Sequence, residues 1–125
     1  MNSHVKIICL MLMLTLSVVS CPILALPASD RFFDQYGNIC WEDEKARLDN
    51  FAISLQSDPD LIGYIIVYDG NPSCREEAIA RAIRARNYVV KYRKVEWNRV
   101  VWRYGGHQEE LTVVLQPIPR TAPEL

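Results

Sequence analysis

The stretch VYDGNPSCREEAIARAIRARNYVV, from Val67 to Val90, decides the fold predicted for this chain. It contains the end of an apolar run, Gly63 to Asp69, whose length, β-branched residues and flanking glycines are typical of a central strand. The next segment, GNP (70–72), is composed of residues that are typical of turns. A helix is then predicted from Cys74 to about Lys91, because small alanines recur on one stripe and allow a close approach to a sheet.

Similar patterns on either side complete the predicted fold. The segment WEDEKARLDNFAISLQSDP (41–59) predicts an amphipathic helix that ends at its aspartate–proline pair. Two later runs, RVVWRY (99–104) and LTVVLQ (111–116), are joined by GGHQEE and predict a β-hairpin. The segment before Gly37 is a candidate first strand. The order is (β)-α-β-α-β-β, and right-handed crossovers then predict an α/β (α+β) two-layer sandwich with both helices on one face of a mixed sheet.

Length and composition limit the number of domains and the classes of partner. The 125 residues suffice for one small domain, predicted at 29–116, and the proline-rich end PIPRTAPEL (117–125) is predicted to be a disordered tail. The net charge is −1, with 14 basic and 15 acidic residues. Nucleic acid is therefore not expected as a partner, since phosphate binding requires a basic surplus.

Catalytic and metal-binding signatures are not readable in the sequence. Residues 29–125 contain one histidine, His107, in a glycine-containing turn, where we expect it to be exposed and inert. The patterns G-x-S-x-G and H-E-x-x-H do not occur. The sequence therefore predicts a non-enzyme with no cofactor and no metal site. An enzyme that uses a thiol or a carboxylate stays open as an alternative.

The N-terminus predicts export. Residues 1–28 read as a signal peptide, with Lys6 followed by an apolar run of about a dozen residues, too short to span ~30 Å of hydrocarbon. The tetrapeptide VVSC, which ends at Cys21, resembles a bacterial lipobox in which the cysteine becomes lipidated. Cleavage after Ala25 or Ala28 is the alternative. The predicted location is the periplasm or an outer-membrane anchor, with membrane contact only through the signal or a lipid.

Two cysteines, Cys40 and Cys74, remain in the predicted exported domain. An oxidising compartment favours a disulfide between them. Such a bond would close a loop of about 35 residues and contribute roughly 3–4 kcal/mol in the chain-entropy model. The alternative is a reactive thiol at Cys74, because a helix start lowers the pKa of a thiol.

Three segments carry a resemblance to a known family: IIVYD at the end of the central strand, the dipeptide Arg84-Ala85 in the second helix, and KVEWNRVVWRYGG. Over about residues 46–115 the chain resembles the C-terminal, peptidoglycan-binding domain of outer-membrane protein A and the peptidoglycan-associated lipoprotein, the OmpA-like family. In that family, an aspartate that ends the middle strand and the arginine of RA lie fifteen residues apart and grip the peptide stem. Here 84 − 69 = 15, so the resemblance implies that Asp69 and Arg84 bind peptidoglycan. Arg81, at a position where the family has a serine, is a third candidate.

The chemistry of the implied ligand explains why an acid and a base would be paired. A diaminopimelate side chain ends in both an ammonium and a carboxylate group. A carboxylate and a guanidinium that face a shared cleft complement such a zwitterion, and arginine can hold the carboxylate through two hydrogen bonds. Two other interpretations stay open. In the first, the domain has the same fold but contacts envelope proteins instead of peptidoglycan. In the second, Asp69 caps a turn and the arginines form a solvated helix face.

Overall fold

The computed structural model describes residues 33–122, which fold into two helices packed on one face of a four-stranded mixed sheet. This confirms the predicted two-layer sandwich and the order of its elements. The elements are β1 (Asp34–Tyr36), α1 (Trp41–Ser57), β2 (Leu61–Asp69), α2 (Arg75–Asn87), β3 (Val100–His107) and β4 (Thr112–Pro119). A π-helical turn continues α2, and a 3-10 turn precedes β3. The predicted signal peptide and Cys21 lie outside the described residues.

The strand order in the sheet is β1-β4-β2-β3, with β2 parallel to β3 and antiparallel to β4. The predicted β3–β4 hairpin is therefore wrong, because β2 lies between the two strands. The glycines interpreted as a turn belong to β3, where the ladder shifts register next to Tyr68. A Cβ on Gly105 would lie 2.3 Å from the Tyr68 ring, so this glycine makes room for an aromatic side chain. The β3–β4 connection crosses the end of β2, where the Gln108 amide donates to the Asp69 carbonyl.

The core lies between the helices and the face of β2 that carries Gly63, Ile65 and Val67. A Cβ on Gly63 would lie 2.6 Å from a methyl carbon of Leu55, so the missing side chain sets how closely α1 approaches the sheet. The apolar stripes expected on both helices are fully buried, which confirms the predicted faces: Leu48, Phe51, Ala52 and Leu55 on α1, and Ala78, Ala82 and Ala85 on α2, with Val89 just beyond.

The end of α1 is capped by a distant arginine. Arg99, just before β3, is 7% exposed. Its Nη2 atom donates to the carbonyls of Leu55 at 2.6 Å and Asp58 at 2.7 Å, and its Nε atom donates to Leu61 at 3.1 Å. The last carbonyls of a helix have no partner within the helix. Arg99 donates hydrogen bonds to two carbonyls at this end and so ties α1 to the start of the parallel strand pair.

Two predictions about the ends and the cysteines are corrected. Strand β4 runs through Pro119, and residues 117–119 pair with Leu61–Gly63, so the first three residues of the predicted tail belong to the sheet.

Cys40 and Cys74 are both free and exposed, so the predicted disulfide is wrong. Each of these cysteines directly precedes a different helix, and the Cys40 thiol instead lies 3.2 Å from a carboxylate oxygen of Asp43.

Free, exposed thiols predict that Cys40 and Cys74 react with iodoacetamide in the folded chain without reductant. Peptide mapping by mass spectrometry measures the modification at each position. A peptide that links the two cysteines in the unreduced protein would contradict the prediction.

Candidate functional site

Asp69 and His107 meet at the carboxyl ends of two parallel strands. Asp69 ends β2, His107 ends β3, and the two are register partners. The Asp69 Oδ1 atom accepts a hydrogen bond from the Tyr104 hydroxyl, and Oδ2 lies 2.7 Å from His107 Nδ1. Asp69 is 8% exposed, whereas the His107 side chain is 60% exposed. The carboxyl edge of parallel strands beside a helix start is a favoured ligand position in α/β sheets.

These contacts set the charge of the cluster. The hydrogen bond from Tyr104, followed by that from His107, holds the pKa of Asp69 below its ordinary value of 3.8. The same bond raises the pKa of the Tyr104 hydroxyl, because the phenol donates to a carboxylate. A neutral His107 that donates its Nδ1–H to Asp69 keeps Nε2 as an acceptor toward solvent.

The chemistry open to this cluster is limited by its neighbours. Among residues 33–122, no serine, threonine or cysteine side chain is hydrogen-bonded to His107. The nearby Ser73 hydroxyl bonds the amide and carbonyl of Gly70 instead, at 3.2 Å and 2.7 Å. The same part of the chain contains no group of three histidine, cysteine or acidic side chains that could hold a metal ion. The cluster can exchange a proton or accept a hydrogen bond.

Arg84 belongs to a different ionic cluster. Its Nη2 atom lies 2.6 Å from Glu44 Oε2, and Glu44 is fully buried in α1. The other carboxylate oxygen of Glu44 accepts a hydrogen bond of 3.1 Å from the Tyr36 hydroxyl of β1. Burial, together with the Glu44 charge, raises the pKa of Tyr36. The Arg84 guanidinium also lies 4.4 Å from the centre of the Trp41 ring.

Arg81 joins the same cluster and also fixes the segment between β1 and α1. It lies 3.5 Å from Glu44, donates to the Asn38 side chain at 2.7 Å and reaches the Ile39 carbonyl at 3.4 Å. The structure thus brings the two candidate arginines together, but on a glutamate that sequence reasoning did not select.

The third candidate, Asp69, lies apart from both arginines. The side-chain partners of Asp69 are on β3, whereas Glu44 is bonded to Tyr36 on β1. Within the described residues Asp69 and Arg84 therefore share no contact, and each is already paired with another group.

Sequence reasoning missed Glu44, Tyr104 and His107 as partners. A signal existed for Glu44, because it lies four residues before Leu48 and continues the buried stripe of α1. A charged residue on an apolar stripe indicates a buried ion pair. No local signal existed for His107, because its contact with Asp69 depends on the parallel β2–β3 pairing.

A groove of about 530 Å³ follows the outer edge of β3. We call it the β3-edge groove; its lining includes Arg86, Trp97, Trp102, Arg103 and Tyr104. Trp97 is 70% exposed. Trp102 and Tyr104 are partly buried and pack against the core. A second groove, about 510 Å³, lies beside Trp41, Tyr88 and Tyr92 on the helical layer.

The buried ion pair predicts non-additive stability effects. Arg84→Met should lower the free energy of unfolding by about 2 kcal/mol, less than for a fully buried pair because Arg84 is half exposed and Arg81 remains. In a Glu44→Gln background the same substitution should cost less than half as much. Urea unfolding measures both effects, with Lys91→Met as an exposed control expected within about 0.5 kcal/mol of the parent. Equal costs in the two backgrounds would rule out the coupling.

The lowered pKa of Asp69 predicts a pH-dependent contribution to stability. The ionised form is favoured in the folded state, so the contribution is present above the ordinary pKa of 3.8 and is lost as pH falls through the lower folded value. Urea unfolding of wild type and Asp69→Asn between pH 6 and pH 2 tests this. The stability advantage of wild type should shrink below about pH 4. An advantage that is constant with pH would contradict the prediction.

Two comparisons with known proteins were negative. A scan against protein-family models found no match, and a search of the curated proteins found none either. Within residues 33–122, neither helix has the length and apolarity needed to cross a membrane.

Proposed function

We propose that this chain is an exported, non-catalytic protein-interaction domain with an OmpA-like fold that contacts a partner through the β3-edge groove rather than through an Asp69–Arg84 clamp. Export and membership of the OmpA-like family rest on the sequence features described above. The observation that carries the proposal is the exposure of Trp97, at 70%, beside arginines that have no carboxylate partner among the described residues.

The contacts of Asp69 and Arg84 argue against a stem-peptide clamp. Arg84 is already engaged within the domain, because its Nη2 atom lies 2.6 Å from the fully buried Glu44 carboxylate, and a ligand carboxylate would have to share this guanidinium ion. Asp69 already accepts two hydrogen bonds and is 8% exposed. A ligand ammonium would have to compete with Tyr104 and His107 for that carboxylate.

A catalytic role has less support than a binding role. His107 is oriented by Asp69 in the way a general base is, but an acyl-transfer or hydrolytic site also requires a nucleophile within hydrogen-bonding distance of the base. Among residues 33–122 no serine, threonine or cysteine side chain is hydrogen-bonded to His107, and Ser73, in the loop after Asp69, is bonded to the backbone of Gly70. The exposed Nε2 side of His107 is better suited to accept a hydrogen bond from a bound ligand.

The residue types of the β3-edge groove favour a protein partner. Tryptophan, tyrosine and arginine are the residues that contribute most binding energy at protein interfaces. Trp97 is largely free of contacts with the rest of the domain, whereas Trp102 and Tyr104 are held in place by the core. The groove therefore combines two aromatic side chains held in place by the core, Trp102 and Tyr104, with one exposed aromatic side chain, Trp97, that a partner can contact.

Photo-crosslinking in cells that produce the chain tests the proposal. With p-benzoylphenylalanine in place of Trp97, irradiation should give discrete adducts that protease digestion removes, because a protein partner lies against this position. The matched control replaces Tyr92, which is 75% exposed in the other groove, and should give little adduct. The absence of protein adducts at Trp97 would reject a protein partner at this site.

Sedimentation with purified bacterial sacculi separates the proposal from peptidoglycan binding. The full chain should stay in the supernatant, because Asp69 and Arg84 are each engaged within the domain. Retention that both Asp69→Ala and Arg84→Ala abolish, with unfolding curves confirming folded variants, would restore the clamp and overturn the proposal.

A further inference from the structure

Three arginines line the outer edge of β3 without a carboxylate partner in the part of the chain that the structure describes. Arg86 donates to the carbonyls of Val100 at 2.8 Å and Trp97 at 3.0 Å. Arg103 donates to the Trp102 carbonyl at 3.2 Å. The Arg75 guanidinium lies 4.7 Å from the centre of a tyrosine ring, that of Tyr104.

The ion pairs of the described residues are formed by other cations. Glu44 pairs with Arg81 and Arg84, and further carboxylates pair with Lys45, Arg47 and Arg93 on or beside α1. Within residues 33–122, Arg75, Arg86 and Arg103 therefore form no ion pair that a ligand would have to break. An anionic ligand at this edge would gain charge-assisted hydrogen bonds without displacing an internal ion pair.

The same arginines occupy two backbone carbonyls of the sheet edge to which a partner could add a strand. An edge strand normally exposes backbone carbonyls that can pair with another chain. At β3 the carbonyls of Val100 and Trp102 already accept hydrogen bonds from Arg86 and Arg103. A ligand on this edge meets the remaining N–H groups of these guanidinium ions and the aromatic side chains beside them.

The spacing of the three contact points along β3 favours an extended ligand. Arg86 and Arg103 donate to the carbonyls of Val100 and Trp102, and Arg75 lies over the ring of Tyr104; these three contacted residues alternate along β3. Alternate residues of a strand are roughly 6.7 Å apart. Side chains on one side of an extended peptide repeat at the same interval, so carboxylates at every second position would each meet one guanidinium ion.

We propose that the β3-edge groove binds an extended acidic segment of a partner protein, with carboxylates at alternating positions and an apolar residue against Trp97. This rests on the proposed function and specifies the chemistry of its ligand. Arg75, Arg86 and Arg103 hold the carboxylates, and Trp97 supplies the anchor, being 70% exposed at the end of the groove where Arg86 is bound. A strong dependence on ionic strength follows, because the guanidinium ions are near the surface.

Calorimetric titration of the full chain with a synthetic peptide tests this inference. The peptide has glutamates at its second, fourth and sixth positions, separated by serine and threonine, with a leucine at one end. It should bind, and Arg103→Ala or Trp97→Ala should each weaken the affinity about tenfold. The matched controls Lys91→Ala and Tyr92→Ala, at an exposed cation and a 75% exposed aromatic residue outside the groove, should leave the affinity unchanged.

Competing ligands and the crosslinking result make each outcome decisive. A peptide of the same composition with its three glutamates adjacent should bind about tenfold more weakly, because only one or two carboxylates reach guanidinium ions. Equal affinity for that peptide, or tighter binding of polyglucuronate or anionic lipid vesicles, would overturn the alternating-acid inference. Binding that Arg103→Ala and Trp97→Ala do not weaken would overturn the location. If no acidic peptide binds while Trp97 still crosslinks to a protein, the inference fails and the proposed function stands.

Discussion

Strand β2 is apolar on both faces, and the rest of the fold follows from the need to cover it. Its helix-facing side chains, such as Ile65 and Val67, are fully buried by α1 and α2. On the opposite face, Tyr64 is 7% exposed because the neighbouring strands pack around it. A strand of this kind is stable only in the centre of a sheet, with a partner on each edge. The chain therefore places β3 and β4 on opposite sides of β2 instead of pairing them with each other.

That strand order also determines where charge is neutralised. Glu44 is buried next to β1, and a buried carboxylate requires cations and hydrogen-bond donors around it. It takes Arg81 and Arg84 from α2, which leaves Arg75 and Arg86 of the same helix facing β3. The arginines of this helix are thus divided between a structural side and an accessible side.

The candidate site illustrates how a correct position can have an incorrect partner. Asp69 ends the central strand as the resemblance required, at the edge of a sheet beside a helix start. Its partner was expected on the following helix, fifteen residues along the chain (84 − 69 = 15). Instead, the parallel β2–β3 pairing brings Tyr104 and His107 to it. Chain distance predicts helix neighbours well, but it does not predict which strand completes a ladder.

The sequence by itself determined the two amphipathic helices, the central strand and the two-layer class, since periodicity and turn residues act within a few positions of one another. Leu48, Phe51 and Leu55 are buried as their spacing required. Only the tertiary structure decided the strand order, the use of Gly105 as room for the Tyr68 ring, the free state of Cys40 and Cys74, and the pairing of each charge. These depend on contacts between residues far apart in the chain, for which one sequence carries no local pattern.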